Sequence, residues 1–379
     1  MTKDSGAEIR NRYFDTLFAD EKLIWMGQNT NHIPAHPAVT QAMTASIAKG
    51  EYNAYAPPLG FESLRAAIVE DLGVPGRALV TEGGVNALAT LVRTKVRAGA
   101  TFVTSDPTWK WPGVFATQQG AEVIELPIFG PGTGFKLTPE VLAASVDDRC
   151  ALIYLVDPNN PLGTTYDADE LAQFIEIAKS VGALLVHDCT YRDFAPDHVP
   201  AMRIDPVNAV CSVSFSKWLG LAGMRVGALV GAPELIDECA AYSSSILGAG
   251  VVAQRGAEAG LRVKPEWMQT VRAINTANQQ MIREAVAATE GLELLVWPSF
   301  ANFLCIGTEA AGVTPEQLVE AYRQEGVMIR QGKYHTARFG GGFIKVSTTV
   351  PEDWARRFCT LLPAMMTKAR GLSDVPALF

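Results

Sequence analysis

Four short stretches of the 379-residue chain carry polar residues suited to chemistry on an amine. Asp157-Pro158-Asn159-Asn160-Pro161-Leu162-Gly163 follows one apolar run, and Asp188-Cys189-Thr190-Tyr191 follows another. Ser214-Phe215-Ser216-Lys217 follows a third, with Arg225 a short step later. Ahead of them, Thr81-Glu82-Gly83-Gly84-Val85-Asn86 precedes a helical segment and suits an anion cradle of backbone N–H groups. Singly, each has a plainer reading: a turn, a helix cap, a surface lysine. Together, each at a strand end, they make an inventory. A lysine condenses with an aldehyde, and a carboxylate keeps a pyridinium nitrogen protonated so that the ring takes up electrons. Asn and Tyr hydrogen-bond a phenolic oxygen, while Ser, Arg and helix-start amides bind a phosphate. Pyridoxal 5'-phosphate needs all of these.

The elements that must position these residues are legible as an alternation. Residues 101–107, 121–127, 150–158, 183–190, 209–216 and 226–231 read as strands, several of them continuously apolar, as strands covered on both faces must be. Helical patterns lie between them, as at 85–98 and 170–181. This predicts a doubly wound α/β domain with a mainly parallel sheet, and in such sheets ligands sit beyond the carboxyl ends of the strands. After residue 265 the pattern changes. A long helix is expected to begin at Pro265, and two more to open at Thr314-Pro315-Glu316 and Thr349-Val350-Pro351-Glu352, with Thr as cap. Between them LELLVWP, NFLCIG and FIKVST read as strands. The expected division is 1–50 as an N-terminal arm and part of a small domain, 51–264 as the large cofactor-binding α/β domain, and 265–379 as a small α+β domain, with no independent linker.

Composition narrows the class. Apolar residues at 48% and charged residues at 19% are enough for a large core and exclude a disordered chain. A net charge of −8 without any Lys/Arg-rich run speaks against nucleic acid or an anionic membrane as partner. The N-terminus MTKDSGAEIRNRYF has no apolar leader-like run, and nothing approaches a membrane span. Six scattered cysteines without CxxC spacing fit reduced thiols in a cytoplasmic protein and no metal site. No GxGxxG follows the early strands, which speaks against a nicotinamide dehydrogenase.

On these motifs the chain resembles the fold-type I pyridoxal-phosphate enzymes of the class I/II aminotransferases over nearly its whole length. The resemblance implies that Asn160, in Asn160-Pro161-Leu162-Gly163, bonds the cofactor's phenolic oxygen together with Tyr191. It implies that Asp188 holds the pyridine nitrogen, that Lys217 is the Schiff-base lysine, and that Ser214, Arg225, Gly84 and Val85 bind the phosphate. Asp106-Pro107-Thr108-Trp109 matches an element whose aromatic stacks on the ring, here Trp109. Tyr55-Ala56-Pro57-Pro58-Leu59-Gly60 resembles the element whose tyrosine reaches the neighbouring subunit's phosphate, which implies a homodimer. Gly27-Gln28-Asn29-Thr30-Asn31 and Ser299-Phe300-Ala301-Asn302-Phe303 are similar to the histidinol-phosphate aminotransferase branch, and Asn31 is a candidate substrate contact.

One departure stands out. The family grips the substrate carboxylate with an arginine in an Arg-apolar-Ser element, where this chain has Lys345-Val346-Ser347. Lysine is a point charge where arginine is a planar fork. Lys345 holds the carboxylate less rigidly, or Arg330 or Arg338 takes over, or the substrate is not an ordinary amino acid. The implied activity is transfer of an amino group from an amino donor to a 2-oxo acid. The alternative is a lyase or synthase on the same scaffold, since Asn160-Pro161-Leu162-Gly163 also has some likeness to aminocyclopropane-carboxylate synthase.

Overall fold

The computed structural model describes residues 6–243, 246–373 and 375–377; Met1–Ser5 of the N-terminal stretch read above lie outside the described residues. The chain divides into two compact units. The larger combines Ile33–Ala273 with Pro298–Asn302, and the smaller combines Met1–His32, Ile274–Trp297 and Phe303–Phe379.

The larger unit is built on seven strands: β1 (Arg77–Thr81), β2 (Thr101–Asp106), β3 (Glu122–Pro127), β4 (Cys150–Val156), β5 (Leu184–Asp188), β6 (Ala209–Ser214) and β7 (Gly227–Gly231). Their order is β1-β7-β6-β5-β4-β2-β3. β7 runs antiparallel to β1 and β6, and every other pair is parallel. All residues of β2, β6 and β7 are buried, as strands with helices on both faces require. β3, at one edge, keeps Glu122 and Glu125 in its run, charges that discourage pairing with another chain. Helix α1 (Gly84–Lys95) follows β1, and α2 (Ala168–Ser180) follows β4. α2 opens with a capping box in which Asp167 accepts from the Glu170 N–H and Glu170 from the Asp167 N–H, at 2.8 and 2.9 Å. The strand order turns back between β2 and β4, so the segments leaving these two strands flank the switch point where a ligand crevice forms.

Two elements differ from the sequence reading. β1 was not foreseen: it is a five-residue strand whose first residue is exposed and which pairs with β7. The long helix, expected to start at Pro265, is α3 (Val251–Ala287) with Pro265 inside it. Gly256 and Gly260 weaken the helical signal ahead of the proline. Packing demands them, because a Cβ at Gly256 would lie 2.9 Å from Met43 and one at Gly260 would lie 2.3 Å from Leu219.

The smaller unit holds strands β8 (Glu293–Leu294), β9 (Phe303–Gly307), β10 (Arg330–Gln331) and β11 (Phe343–Ser347), antiparallel in the order β10-β11-β9-β8. LELLVWP thus contributes two strand residues rather than seven. Leu304, Ile306, Ile344 and Val346 pack with Leu318 and Tyr322 of α4 (Pro315–Arg323) and Phe358 and Leu362 of α5 (Glu352–Arg370). Tyr322 stacks on Phe358 with ring centres 4.8 Å apart and donates its hydroxyl to the Phe358 carbonyl. Thr314 caps α4 as expected, in a capping box with Gln317. Thr349 does not cap α5. Its hydroxyl turns to the Thr30 carbonyl, and Pro351 begins the helix with Glu352 and Asp353 in the first turn, where they complement the dipole. No helix among the described residues is long and apolar enough to cross a membrane.

Candidate active site

Asp188 closes β5 and is 3% exposed. Strand register supplies its partners. Ser212 stands directly opposite on β6, so both side chains share a face, and its hydroxyl donates to Oδ1 at 2.8 Å. The N–H and hydroxyl of Thr190 donate to the same oxygen at 3.1 and 2.7 Å. On the other side Tyr154 of β4 donates its hydroxyl to Oδ2 at 2.8 Å. Four neutral donors hold the carboxylate, and Oδ2, with one of them, keeps acceptor capacity. Neither Tyr154 nor Ser212 was foreseen. The period-two alternation of β4 and β6 carries the signal, but only the register shows which alternating residues face Asp188.

Lys217 follows β6 by three residues. Burial pulls its pKa down to about 8, the Arg225 charge pulls the same way, and attraction to Asp188 partly opposes them. An amine at that value is about one-tenth unprotonated at pH 7, far more than an ordinary lysine, and the unprotonated form is the one that attacks a carbonyl.

An anion cradle forms where α1 begins. Gly83 has φ +86, a conformation that favours glycine, and no side chain caps the helix. Asn86 and Ala87 turn their N–H groups back to the Gly83 carbonyl, while those of Gly84 and Val85 have no acceptor among the described residues. Ser214, Thr190 and Arg225 close around this point. A Cβ on Gly84 would lie 3.5 Å from Ser214 Cβ and 3.8 Å from Thr190 Oγ1, and one on Gly83 would lie 2.7 Å from Arg225 Nη2. The exposed Arg225 guanidinium donates to the Ala222 carbonyl at 2.8 Å and the Glu82 carbonyl at 3.4 Å. A Cβ on Gly227 would come within 2.4 Å of the Gly84 nitrogen, so this glycine lets β7 close on the cradle.

Asn160 is buried in the turn after β4, which Asn159 braces by accepting from Leu162 N–H at 3.1 Å. Phe300 donates its N–H to the Gly163 carbonyl at 2.8 Å, tying the Pro298–Asn302 segment to that turn. Asn302 of the segment is fully buried. Trp109, partly buried, leaves the end of β2; Tyr191 is 3% exposed just past Asp188. Tyr55 is 84% exposed. All the residues expected to bind cofactor thus belong to the larger unit.

A buried cluster beneath the strand ends was also missed. Asp157 accepts from Thr165 Oγ1 and Tyr166 N–H through Oδ1, at 2.7 and 3.2 Å, while Oδ2 meets His187 Nε2 at 2.9 Å and His198 Nε2 at 3.2 Å. His187 Nδ1 accepts the Ala201 N–H at 3.0 Å, so its Nε2 carries the proton that goes to Asp157. Burial raises the Asp157 pKa, but His198 and His187 outweigh it and hold the carboxyl far below the usual range.

The substrate candidates Asn31, Arg330 and Lys345 belong to the smaller unit, and all three are buried. Arg330 and Lys345 are direct partners in the β10–β11 ladder. Arg330 donates Nε to the Gly27 carbonyl at 3.3 Å and lies 4.5 Å over the Tyr334 ring; Lys345 Nζ lies 5.1 Å over Phe303.

Comparison with known proteins places the chain in a family. The family described as aminotransferase class I and II matches residues 21–362. A histidinol-phosphate aminotransferase of Staphylococcus haemolyticus is 30% identical over 82% of this chain and 84% of its own. An aromatic amino acid aminotransferase of Thermobifida fusca is 28% identical over 86% of each. In three dimensions, a double mutant of Thermus thermophilus aspartate aminotransferase superposes with a TM-score of 0.83 over 96% of this chain and 97% of that one, at 22% identity, a likeness of fold. The chain belongs to the class I and II aminotransferase family, and it is an aminotransferase.

Proposed function

We propose that the larger unit binds pyridoxal 5'-phosphate and uses it to move an amino group from an amino acid to a 2-oxo acid, with Lys217 as the reacting amine. The observation that carries this reading is the convergence of a buried carboxylate, a lysine of lowered pKa and an uncapped helix start on neighbouring strand ends. The residues fit the group: the glycine cradle would be filled by a Cβ, and it carries Ser214, Arg225 and two N–H groups for a phosphate. Bound there, the cofactor supplies an aldehyde for amine exchange and a ring that takes up the electron pair left at the substrate's Cα.

The chain's own residues do the rest. Lys217 would hold the cofactor through its side-chain amine and, when free, would take and return a proton as general base and acid. Asp188 would keep the ring nitrogen cationic, Tyr191 and Asn160 would hydrogen-bond the phenolic oxygen, and Trp109 would stack on the ring. Lys345 and Arg330 bind the substrate's anionic group, and Asn31 is a further substrate contact. Tyr55, with its ring in solvent, serves the phosphate of a second copy in a homodimer. The six free thiols, five of them buried, suit a reducing cytoplasm. The named relatives are aminotransferases, which favours transfer over the elimination chemistry considered above.

The test is absorbance during titration with amino acids. Loss of the yellow cofactor band to an amine-form spectrum, with keto acid released, supports transfer. A band regenerated at every turnover, without that form, contradicts it.

A further inference from the structure

β4 and β5 are parallel partners with Tyr154 opposite Val186 and Val156 opposite Asp188. Tyr154 and Asp188 therefore share a face on a diagonal, a separation that a tyrosine spans and a shorter side chain does not. Tyr154 is held at both its main chain and its ring. Its carbonyl accepts from Thr104 Oγ1 at 3.0 Å, its ring lies 6.0 Å from that of Phe102, and the residue is 1% exposed. Burial, followed by the Asp188 charge, pushes its hydroxyl well above the usual range, so it is a donor at any working pH.

Three donors already converge on Oδ1 of Asp188, so Oδ2 is the oxygen with room for a further partner. Tyr154 is the donor on that oxygen. We propose that Tyr154 is a positioning residue for the aminotransferase reaction, its hydroxyl fixing the orientation of the Asp188 carboxylate and lowering its basicity toward the cofactor's ring nitrogen. The proposal rests on the cofactor reading above. Without the hydroxyl the carboxylate becomes the stronger base and draws the ring proton closer. The ring then carries less positive charge, and the nitrogen of the lysine linkage gains proton affinity.

The experiment is a pH titration of the visible absorbance of the cofactor-loaded protein, with thermal stability measured beside it. Tyr154→Phe keeps the ring and deletes the donor. The midpoint is expected to rise by about half a pH unit, the part of one hydrogen bond to a carboxylate that is passed on to the ring, with kcat lowered roughly threefold to tenfold at unchanged KM. Replacing Tyr154 with 3-fluorotyrosine, a stronger donor of nearly the same volume, is expected to move the midpoint the opposite way, which a packing role does not do. An unmoved midpoint in a loaded Phe variant overturns the proposal, and so does an upward shift with fluorotyrosine. If the Phe variant does not fold, the fluorotyrosine arm decides alone. A parent protein that shows no visible band with the cofactor sinks the cofactor reading itself, and the role of Tyr154 with it.

Discussion

Arg330 and Lys345 stand directly opposite one another across an antiparallel strand pair, and both are more than nine-tenths buried. Like charges in that relation repel, and an anion brought between or beside them answers both. If they bind the substrate's anionic group, Arg330→Gln and Lys345→Gln each raise KM for the amino acid about tenfold to a hundredfold, the worth of one charged hydrogen bond. Cofactor affinity stays unchanged. Steady-state kinetics and a cofactor titration on each variant check both halves.

Lys217 carries its own pH signature. Its pKa near 8 lies below the ordinary lysine value of 10.5. A lowered lysine pKa means the free amine accumulates as pH rises through 8 rather than through 10.5. The rate at which cofactor-free protein reacts with an aldehyde at this residue is therefore expected to climb with a midpoint near 8. Peptide mapping of a timed labelling series reads it, and a midpoint near 10.5 contradicts the environment described.

Gly227→Ala places a methyl group against the Gly84 nitrogen, on the phosphate side of the site. Strand and helix start must then separate, and the cradle opens. Cofactor affinity is expected to fall by about tenfold or more, the effect of losing one charged hydrogen bond to the phosphate. Fluorescence titration of the cofactor-free variant measures it.

How far the sequence carried depends on distance along the chain. The polar residues after β4, β5 and β6 stood out because each interrupts an apolar run at its end, and strand ends are where open α/β sheets place their ligands. Tyr154 and Ser212 did not stand out, since each sits inside such a run, where a small or aromatic residue passes as core. Only the pairing of β4, β5 and β6 turns them toward Asp188. The start of α3 was hidden for a packing reason: Gly256 and Gly260 yield helix propensity to make room for Met43 and Leu219. Asp157 read as part of a turn, because His187 and His198 lie 30 and more residues away and meet it only in the fold.

That cluster sets an acid limit. The folded pKa of Asp157 is depressed below its ordinary 3.8, so the stability it contributes is present above that value and is lost as pH falls through it toward the folded pKa. Asp157→Asn leaves His187 Nε2–H facing an amide and is expected to cost about 3 kcal/mol at neutral pH. The variant's acid unfolding should also be shallower than that of the parent. Denaturant melts at pH 7 and at about pH 3, below the ordinary carboxyl value of 3.8, test this; equal losses at both pH values contradict it.

The most direct test of the central claim is covalent. Protein loaded with pyridoxal phosphate is reduced with borohydride, digested, and the modified peptide identified by mass spectrometry. The account predicts the cofactor on Lys217, with none retained in Lys217→Ala. Modification of a different lysine, or no stable adduct at all, contradicts it.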